Sequence, residues 1–183
     1  QVLLEAGRDM ESIRSLLYAS DHLSADEFRR YITTEHSNRE IDSTALAQEW
    51  IPRITNPEAW EAQMHNEGQV GVQLYEIDDS GRRIPVAQRD EYFPVQYVQP
   101  SIGVNQGVIG FDIGSEKLRR ATLELARDTG QLSMTAPIDL IQVDQAAPAM
   151  MIAVPIYRPD TVLDTVAARR ANLTGFAVGA YLI

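Results

Sequence analysis

Cysteine is absent from this chain of 183 residues, and histidine is scarce. Without cysteine the protein has no disulfide, no thiolate nucleophile and no zinc–thiolate site. The absence of cysteine does not determine whether the protein resides in an oxidising or a reducing compartment. The histidines, His22, His36 and His65, are far apart, and none occurs in the His-Glu-x-x-His spacing that places two ligands on one helix face. We therefore expect neither a bound metal ion nor another cofactor.

The common catalytic motifs are missing as well. Gly103, Gly107 and Gly110 lack the Gly-x-Gly-x-x-Gly spacing of a dinucleotide-binding loop, and Ser115 lacks the Gly-x-Ser-x-Gly context of a nucleophile. No Asp-x-Asp-x-Asp-Gly run indicates a calcium loop. We predict no catalytic residue, and we expect that this chain is not itself an enzyme.

Basic residues are too few to balance the acidic ones. The chain has 16 Lys and Arg against 26 Asp and Glu, a formal net charge of -10 at pH 7. This charge repels phosphate backbones, so nucleic acid is not an expected partner. No apolar run approaches the roughly 20 residues of a membrane-spanning helix, and Gln1 is not a translation start. We expect a soluble fragment of a longer protein, with any membrane helix outside it.

The N-terminal segment has a helical pattern. Small and apolar residues recur there at alternating spacings of three and four, at Leu3, Ala6, Met10, Ile13, Leu17 and Ser20. Phe28 and Ile32 extend this stripe, and no Gly or Pro follows until after Ile41. The pattern predicts one long helix over residues 1–42. Two uses remain open, because the stripe suits either packing on its own domain or the seam of a homodimeric coiled coil.

Strand signals dominate from residue 70 onward. Apolar alternation and turn residues predict strands over 70–77, 92–98, 108–113, 132–142, 149–157 and 175–183. Two short helices are predicted before them, over 45–50 and 57–65, and residues 158–172 are predicted as a loop with at most one short helix. The predicted fold class is α+β, a long N-terminal helix followed by an antiparallel sheet flanked by helices.

A further helix is predicted over residues 116–129, between two strands. Ser115 is its expected N-cap, and Gly130 its expected left-handed stop. Its expected buried face consists of Leu118, Ala121, Leu125 and Ala126. One helix laid against an antiparallel sheet is the geometry of a cupped ligand pocket, which favours a sensor over a reaction centre.

Seven sequence blocks carry a family resemblance. In chain order they are Leu46–Ile54, Arg89–Val95, Gly110–Asp112, Ala126–Gly130, Thr135–Pro137, Val154–Tyr157 and Gly175–Gly179. Together they resemble the CHASE domain, an extracytoplasmic sensory module of membrane histidine kinases, diguanylate cyclases and plant cytokinin receptors. The resemblance spans most of the chain, and seven blocks in order are far more specific than any one of them.

The resemblance implies a receptor architecture. It implies a stalk helix, here residues 1–42, followed by two PAS-like subdomains with the ligand in the one distal to the membrane. Residues 43–183 correspond to that distal, ligand-binding subdomain. The membrane-proximal subdomain, the transmembrane helices and a cytoplasmic kinase or cyclase would lie outside this chain. The implied location is the periplasmic or extracellular face of the inner or plasma membrane.

The resemblance also points to pocket residues. Plant members use an acidic side chain to bind the purine of a cytokinin, and Arg119 occupies that position here. A threonine of those receptors is matched by Ala153, Thr135 matches a position near the pocket, and Ile141 matches one whose main chain meets the ligand. Because a guanidinium offers five donors and no acceptor, we expect a small anionic or carbonyl-bearing ligand near Arg119.

Alternatives to these roles remain open at the level of sequence. Arg119 lies in a basic first turn, where cations oppose the helix dipole, and such a residue is as well explained by a solvated helix face. The Thr135 hydroxyl suits a ligand or a neighbouring strand. Tyr97, Met151 and Tyr157 have an alternation that suits pocket walls, although such residues are more often plain core.

Two functions from different classes therefore follow from the sequence. The first is a non-catalytic small-molecule-sensing ectodomain, whose strands from position 70 onward enclose a hollow large enough for a metabolite, with Arg119 reaching inward. The second is a protein-interaction or dimerisation module whose cavity is filled by side chains. Mass action distinguishes them, because only a bound ligand raises the melting temperature.

Overall fold

The fold places helices on both faces of one antiparallel sheet. The structure, a computed structural model, describes residues 2–20, 22–37, 45–101, 103–138 and 149–182. Its five-stranded sheet has the order β4-β1-β7-β6-β5, in which β1 is Ala45–Pro52, β4 is Tyr97–Gln99, β5 is Ser133–Met134, β6 is Ala149–Tyr157 and β7 is Leu173–Leu182. A separate hairpin pairs β2, Tyr75–Ile77, with β3, Arg83–Pro85. The α+β class predicted from the sequence is confirmed.

The N-terminal segment folds as two helices where one was predicted. Helix α1 spans Val2–Ala19 and α2 spans Ala25–Ser37. The break is explained by a capping box, because the Ser24 amide donates to Glu27 Oε2 at 2.9 Å and the Glu27 amide donates back to Ser24 Oγ at 3.3 Å. Residues 38–42 of the predicted helix lie outside the described residues.

The apolar stripe of these helices packs on their own sheet. Ala6, Met10 and Ile13 are at most 1% exposed, and they join Phe28 and Ile32 in a core cluster with one face of β6 and β7. These residues therefore serve the fold of this domain. A coiled-coil dimer would have to use another face of α1.

Strand β1 lies where a short helix was predicted. Its sequence, Ala-Leu-Ala-Gln-Glu-Trp, contains good helix formers, yet it pairs antiparallel with both β4 and β7 in the interior of the sheet. Pairing on both edges outweighs a helix propensity of a few tenths of a kcal/mol per residue. The other short helix was predicted correctly, since α3 spans Pro57–Asn66 behind an Asn56 cap.

Residues 92–113 are less regular than predicted. Tyr92 and Pro94 form single bridges ahead of the short β4, and a 3-10 helix over Gly103–Val108 occupies the start of the predicted strand at 108–113. Asp112, fully buried, accepts hydrogen bonds from the Phe93 and Gly114 amides at 2.9 and 3.0 Å. Burial raises the pKa of Asp112, against the effect of these bonds and of Arg89.

Helix α4 crosses the sheet with a face that differs from the predicted one. It spans Lys117–Thr129, its N-cap is Glu116 rather than Ser115, and Gly130 ends it at a φ of 74° as predicted. Leu118 and Leu125 are 49% and 55% exposed. Ala126 is buried as predicted, whereas the other buried residues are Thr122, Leu123 and Arg127, so apolar spacing alone misidentified most of the face. Helix α5, Val166–Asn172, lies within the predicted loop.

The sheet separates two cores. On the α4 face, Ala47, Ile51, Met151, Ala153 and Val178 pack with Leu123 and Ala126. On the α1 face, Ile152, Val154, Ile156 and Ala177 pack with the two N-terminal helices. This alternation along β6 explains why neighbouring residues of one strand reach different surroundings.

Candidate functional site

A cavity lies on the α4 face of the sheet. Its volume is about 30 Å³. Most of its lining is apolar, and the two charged residues among those described are Glu49 and Arg119. The apolar lining residues are Val95, Val108, Phe111, Ile113, Ile138, Met151, Val178 and Ala180. A guanidinium and a carboxylate thus border the same apolar space, where the low dielectric strengthens their interaction with any polar group.

Arg119 reaches this cavity from the first turn of α4. Its side chain is 11% exposed, and its Nη1 lies 3.4 Å from Glu116 Oε2. The Glu116 carboxylate also accepts hydrogen bonds from the Leu118 and Arg119 amides at 2.9 and 3.0 Å. Burial alone would raise the pKa of Glu116, but these amides and the Arg119 charge bring it below its ordinary value. The N-cap therefore also positions the Arg119 side chain.

Glu49 is the charged cavity residue that sequence reasoning missed. It lies on β1 opposite Val98 and Val178, and it is 5% exposed. The signal was the alternation of Ala47, Glu49 and Ile51, which places all three on one face once this segment is taken as a strand. The helix prediction for residues 45–50 concealed that pattern.

The cavity is much smaller than the hollow expected from the sequence. Ligand pockets for metabolites usually measure about 300–1,000 Å³, whereas about 30 Å³ matches the volume of one water molecule. The reason is that large side chains, among them Phe111, Ile113 and Met151, fill the space between α4 and the sheet. A metabolite would enter only if these elements separated.

Other predicted site residues on this face differ in their contact with the cavity. Met151 lines it directly. Ala153, two residues along β6, is fully buried in the same core and is not among the lining residues. Thr135 bonds the neighbouring strand, because its hydroxyl accepts from the Met151 amide at 3.0 Å and its own amide donates to the Met151 carbonyl at 2.9 Å.

The two predicted tyrosines lie away from the cavity. Tyr97 is on the α1 face, where its ring packs against Phe28 at 5.9 Å and its hydroxyl lies 2.9 Å from Glu67 Oε2. Burial is the main cause that raises the pKa of Tyr97. Tyr157 packs on the α4 face, where its hydroxyl donates to the Arg127 carbonyl. Burial is the main cause that raises the pKa of Tyr157 to about 12. Ile141 lies outside the described residues.

The part of the chain that the structure describes contains neither a cluster of metal ligands nor a membrane-spanning helix. Across residues 2–20, 22–37, 45–101, 103–138 and 149–182, His, Asp and Glu side chains form no group of three that could hold a metal ion. Within the same ranges, no helix is both long and apolar enough to cross a bilayer.

Comparison with known proteins identifies the family. The sequence profile of the CHASE domain matches residues 21–183, nearly the whole chain. The chain belongs to the CHASE domain family. It is also similar to hybrid signal transduction histidine kinase A of Dictyostelium discoideum, with 26% identity over 136 residues. The match covers 70% of this chain and 6% of that kinase.

Membership of the CHASE domain family and the similarity to a histidine kinase together indicate that this chain is a sensory domain of signalling receptors. The CHASE domain is a sensory, non-catalytic module found on the outer side of membrane receptors. In this CHASE domain, Arg119, Glu49 and Met151 are brought together around one cavity, whereas Tyr97, Tyr157, Thr135 and Ala153 serve the core or the sheet.

Proposed function

We propose that this CHASE domain is the extracytoplasmic ligand sensor of a transmembrane receptor, and that its ligand is a small anionic or carbonyl-bearing molecule. The ligand binds between α4 and the sheet, beside Arg119. One observation carries the proposal: a guanidinium, 11% exposed, lines a small cavity whose other walls are mainly apolar. Burying such a charge costs free energy, and buried charged groups are common at functional sites.

The chemistry of Arg119 defines what it can bind. A guanidinium donates five hydrogen bonds in a planar fork and accepts none, so it suits carboxylate, phosphate or carbonyl oxygens. The Glu116 carboxylate accepts from the Arg119 main-chain amide and also pairs with the Arg119 guanidinium, and these contacts restrict the side chain before a ligand arrives. Less conformational entropy is then lost on binding.

Ligand entry requires the α4 face to open. Because the cavity measures about 30 Å³, the ligand must stabilise a state in which α4 and Ile138 lie further from the sheet. A ligand shifts such an equilibrium only by its difference in affinity for the two states. The opening is therefore itself the signal, since it moves α4 relative to the strands that carry the opposite core.

The family and the kinase relative support a proposal for the remainder of the receptor. A cytoplasmic histidine kinase or diguanylate cyclase would receive the signal through transmembrane helices. Residues 43–183 would form the membrane-distal PAS-like subdomain and residues 1–42 the membrane-connected stalk. We propose a homodimer in the full-length receptor through the N-terminal helix, on its exposed face around Arg8, Glu11 and Ser15.

The small cavity volume favours a second candidate function. If the α4 face never opens, the domain is a protein-interaction or dimerisation module, and a partner protein sets the signal. In that case the Arg119 guanidinium is a structural charge that satisfies groups of its own domain.

Thermal shift against a metabolite panel separates the two candidates. A ligand at about 100 times its Kd stabilises the domain by about 2.7 kcal/mol, an easily measured rise in melting temperature. The proposal predicts at least one acidic or carbonyl-bearing hit that Arg119→Gln abolishes and that the exposed control Arg158→Gln retains. A panel without hits would favour the interaction module, whereas acidic or carbonyl-bearing hits that both variants bind equally would refute the role of Arg119.

A further inference from the structure

A larger concavity lies on the opposite face of the sheet, where α1 ends. This groove has a volume of about 450 Å³, which falls in the range of small-molecule sites, whereas the α4-face cavity does not. Its walls come from the end of α1, from Ser20, His22 and Leu23, from helix α3 and from the sheet. We call it the helix-break groove, defined by Tyr18, Ser20, Trp50, Trp60, Gln63 and Ile156.

Both tryptophans of the chain line this groove. The Trp50 side chain lies beside small residues of β7. Ala177 is its direct strand partner, and a Cβ added at Gly175 would stand 2.6 Å from the Trp50 ring. The small residues at these two positions leave room for the indole next to the strand.

The polar groups at the groove are uncharged or already paired. Trp60 Nε1 donates to Gln96 Oε1 at 2.8 Å, and Gln63 Nε2 donates to Glu67 Oε1 at 2.9 Å, which leaves the Gln63 amide oxygen to accept. The Arg53 guanidinium is directed to Glu91, with Nε 2.7 Å from Oε2. The aromatic side chains of Tyr18 and Trp50, beside an amide acceptor, suit a planar ring that carries a hydroxyl or similar donor.

We propose that the helix-break groove is a second ligand site, and that it takes a small, uncharged, planar aromatic molecule with one hydrogen-bond donor. Its occupant contacts α1, α3 and the sheet at the same time. Binding therefore alters the seating of α1 on the sheet, independently of any ligand beside Arg119.

Benzyl alcohol tests the proposal, with cyclohexylmethanol as the matched probe that has similar size but no flat ring. The readout is tryptophan fluorescence of the chain, because both tryptophans line the groove. The expected result is a saturable change with a Kd of about 1–10 mM, as befits a fragment of this size. Cyclohexylmethanol should bind about three- to tenfold more weakly, because it cannot stack on Trp50. Benzylamine and benzoate should also bind more weakly, because each buries a charge.

Variants of the groove residues test where in the molecule benzyl alcohol binds. Trp50→Leu removes the indole and keeps apolar volume, and Tyr18→Leu serves the same purpose at a residue that is 39% exposed. Ligand-observed NMR should show loss of benzyl alcohol binding in either variant, whereas Met151→Leu, in the α4-face cavity, should bind as the unaltered chain does. A linear, unsaturable response, equal affinity for the two alcohols, or undiminished binding by a folded Trp50→Leu or Tyr18→Leu would overturn the assignment.

Discussion

Arg53 Nε lies 2.7 Å from Glu91 Oε2, in an ion pair that joins the end of β1 to the segment before Tyr92. Arg127 Nη1 and Arg120 Nη2 approach the other oxygen of Glu91 at 3.3 and 3.8 Å. Arg53, Glu91 and Arg127 belong to three of the sequence blocks that carry the family resemblance. Those blocks, distant in the chain, therefore meet in one ionic cluster beside α4.

Glu91→Gln should destabilise the domain by about 1–3 kcal/mol, because it leaves the nearly buried Arg127 with less compensation. Urea unfolding at neutral pH measures the loss. Asp90→Asn is the matched control, since Asp90 is the neighbouring acidic residue and is exposed. Equal stability of the two variants would show that the cluster contributes nothing to folding.

Asp128 should make the stability of the domain depend on pH. Hydrogen bonds from Arg170 and Arg127 hold the pKa of Asp128 well below its ordinary value. A lowered folded-state pKa contributes stability above the unfolded value near 4, and that contribution is lost as the pH falls further. The unaltered chain should therefore exceed Asp128→Asn in stability at pH 7, with the gap narrowing below about pH 4. The exposed control Asp164→Asn should show no such gap, and a constant gap for Asp128→Asn would refute the assignment.

Two glycine substitutions should change stability in opposite directions. Gly175→Ala forces a Cβ against the Trp50 ring and the Pro52 Cα at 2.6 and 2.8 Å, so overpacking should cost about 1–3 kcal/mol. Gly7 lies inside α1, where alanine is favoured over glycine by about 0.5–1 kcal/mol. The methyl group added by Gly7→Ala would lie 3.8 Å from Leu132, an ordinary contact distance. Thermal unfolding of both variants checks the signs, and a stabilised Gly175→Ala would contradict the packing described here.

Thr135→Val should reveal whether the hydroxyl serves the sheet. The substitution keeps the shape but removes the acceptor of the buried Met151 amide, at a cost of about 1–2 kcal/mol. Thr135→Ser retains that oxygen and should recover most of the loss. If Thr135→Val is as stable as the unaltered chain, the hydroxyl is free for another role, such as ligand contact.

Local signals were enough to predict several elements. The apolar run of β6 was predicted at Ala149–Tyr157, and Asn56 with Pro57 and Gly130 marked true helix ends. The break between α1 and α2 was also locally encoded, since Ser24 and Glu27 have capping-box spacing.

Other features depend on contacts that are remote in sequence. Strand β1 is recruited by β7, more than a hundred residues away, against its own helix propensity. The buried face of α4 includes Arg127, which is tolerated there only because Glu91 and Asp128 pair with it. Arg119 was identified through the family resemblance, whereas Glu49 required β1 to be known as a strand. The cavity volume depends on how side chains interlock, which no sequence pattern gives.

Methyl NMR of the methionines tests the central claim most directly. The side chain of Met151 lines the α4-face cavity, whereas Met10 and Met64 are buried in the two other cores. A ligand from the metabolite panel should shift the Met151 methyl signal and leave those of Met10 and Met64 nearly unchanged, and Arg119→Gln should abolish the effect. An anionic or carbonyl-bearing ligand that binds without moving the Met151 signal, or that binds Arg119→Gln equally well, would contradict the account.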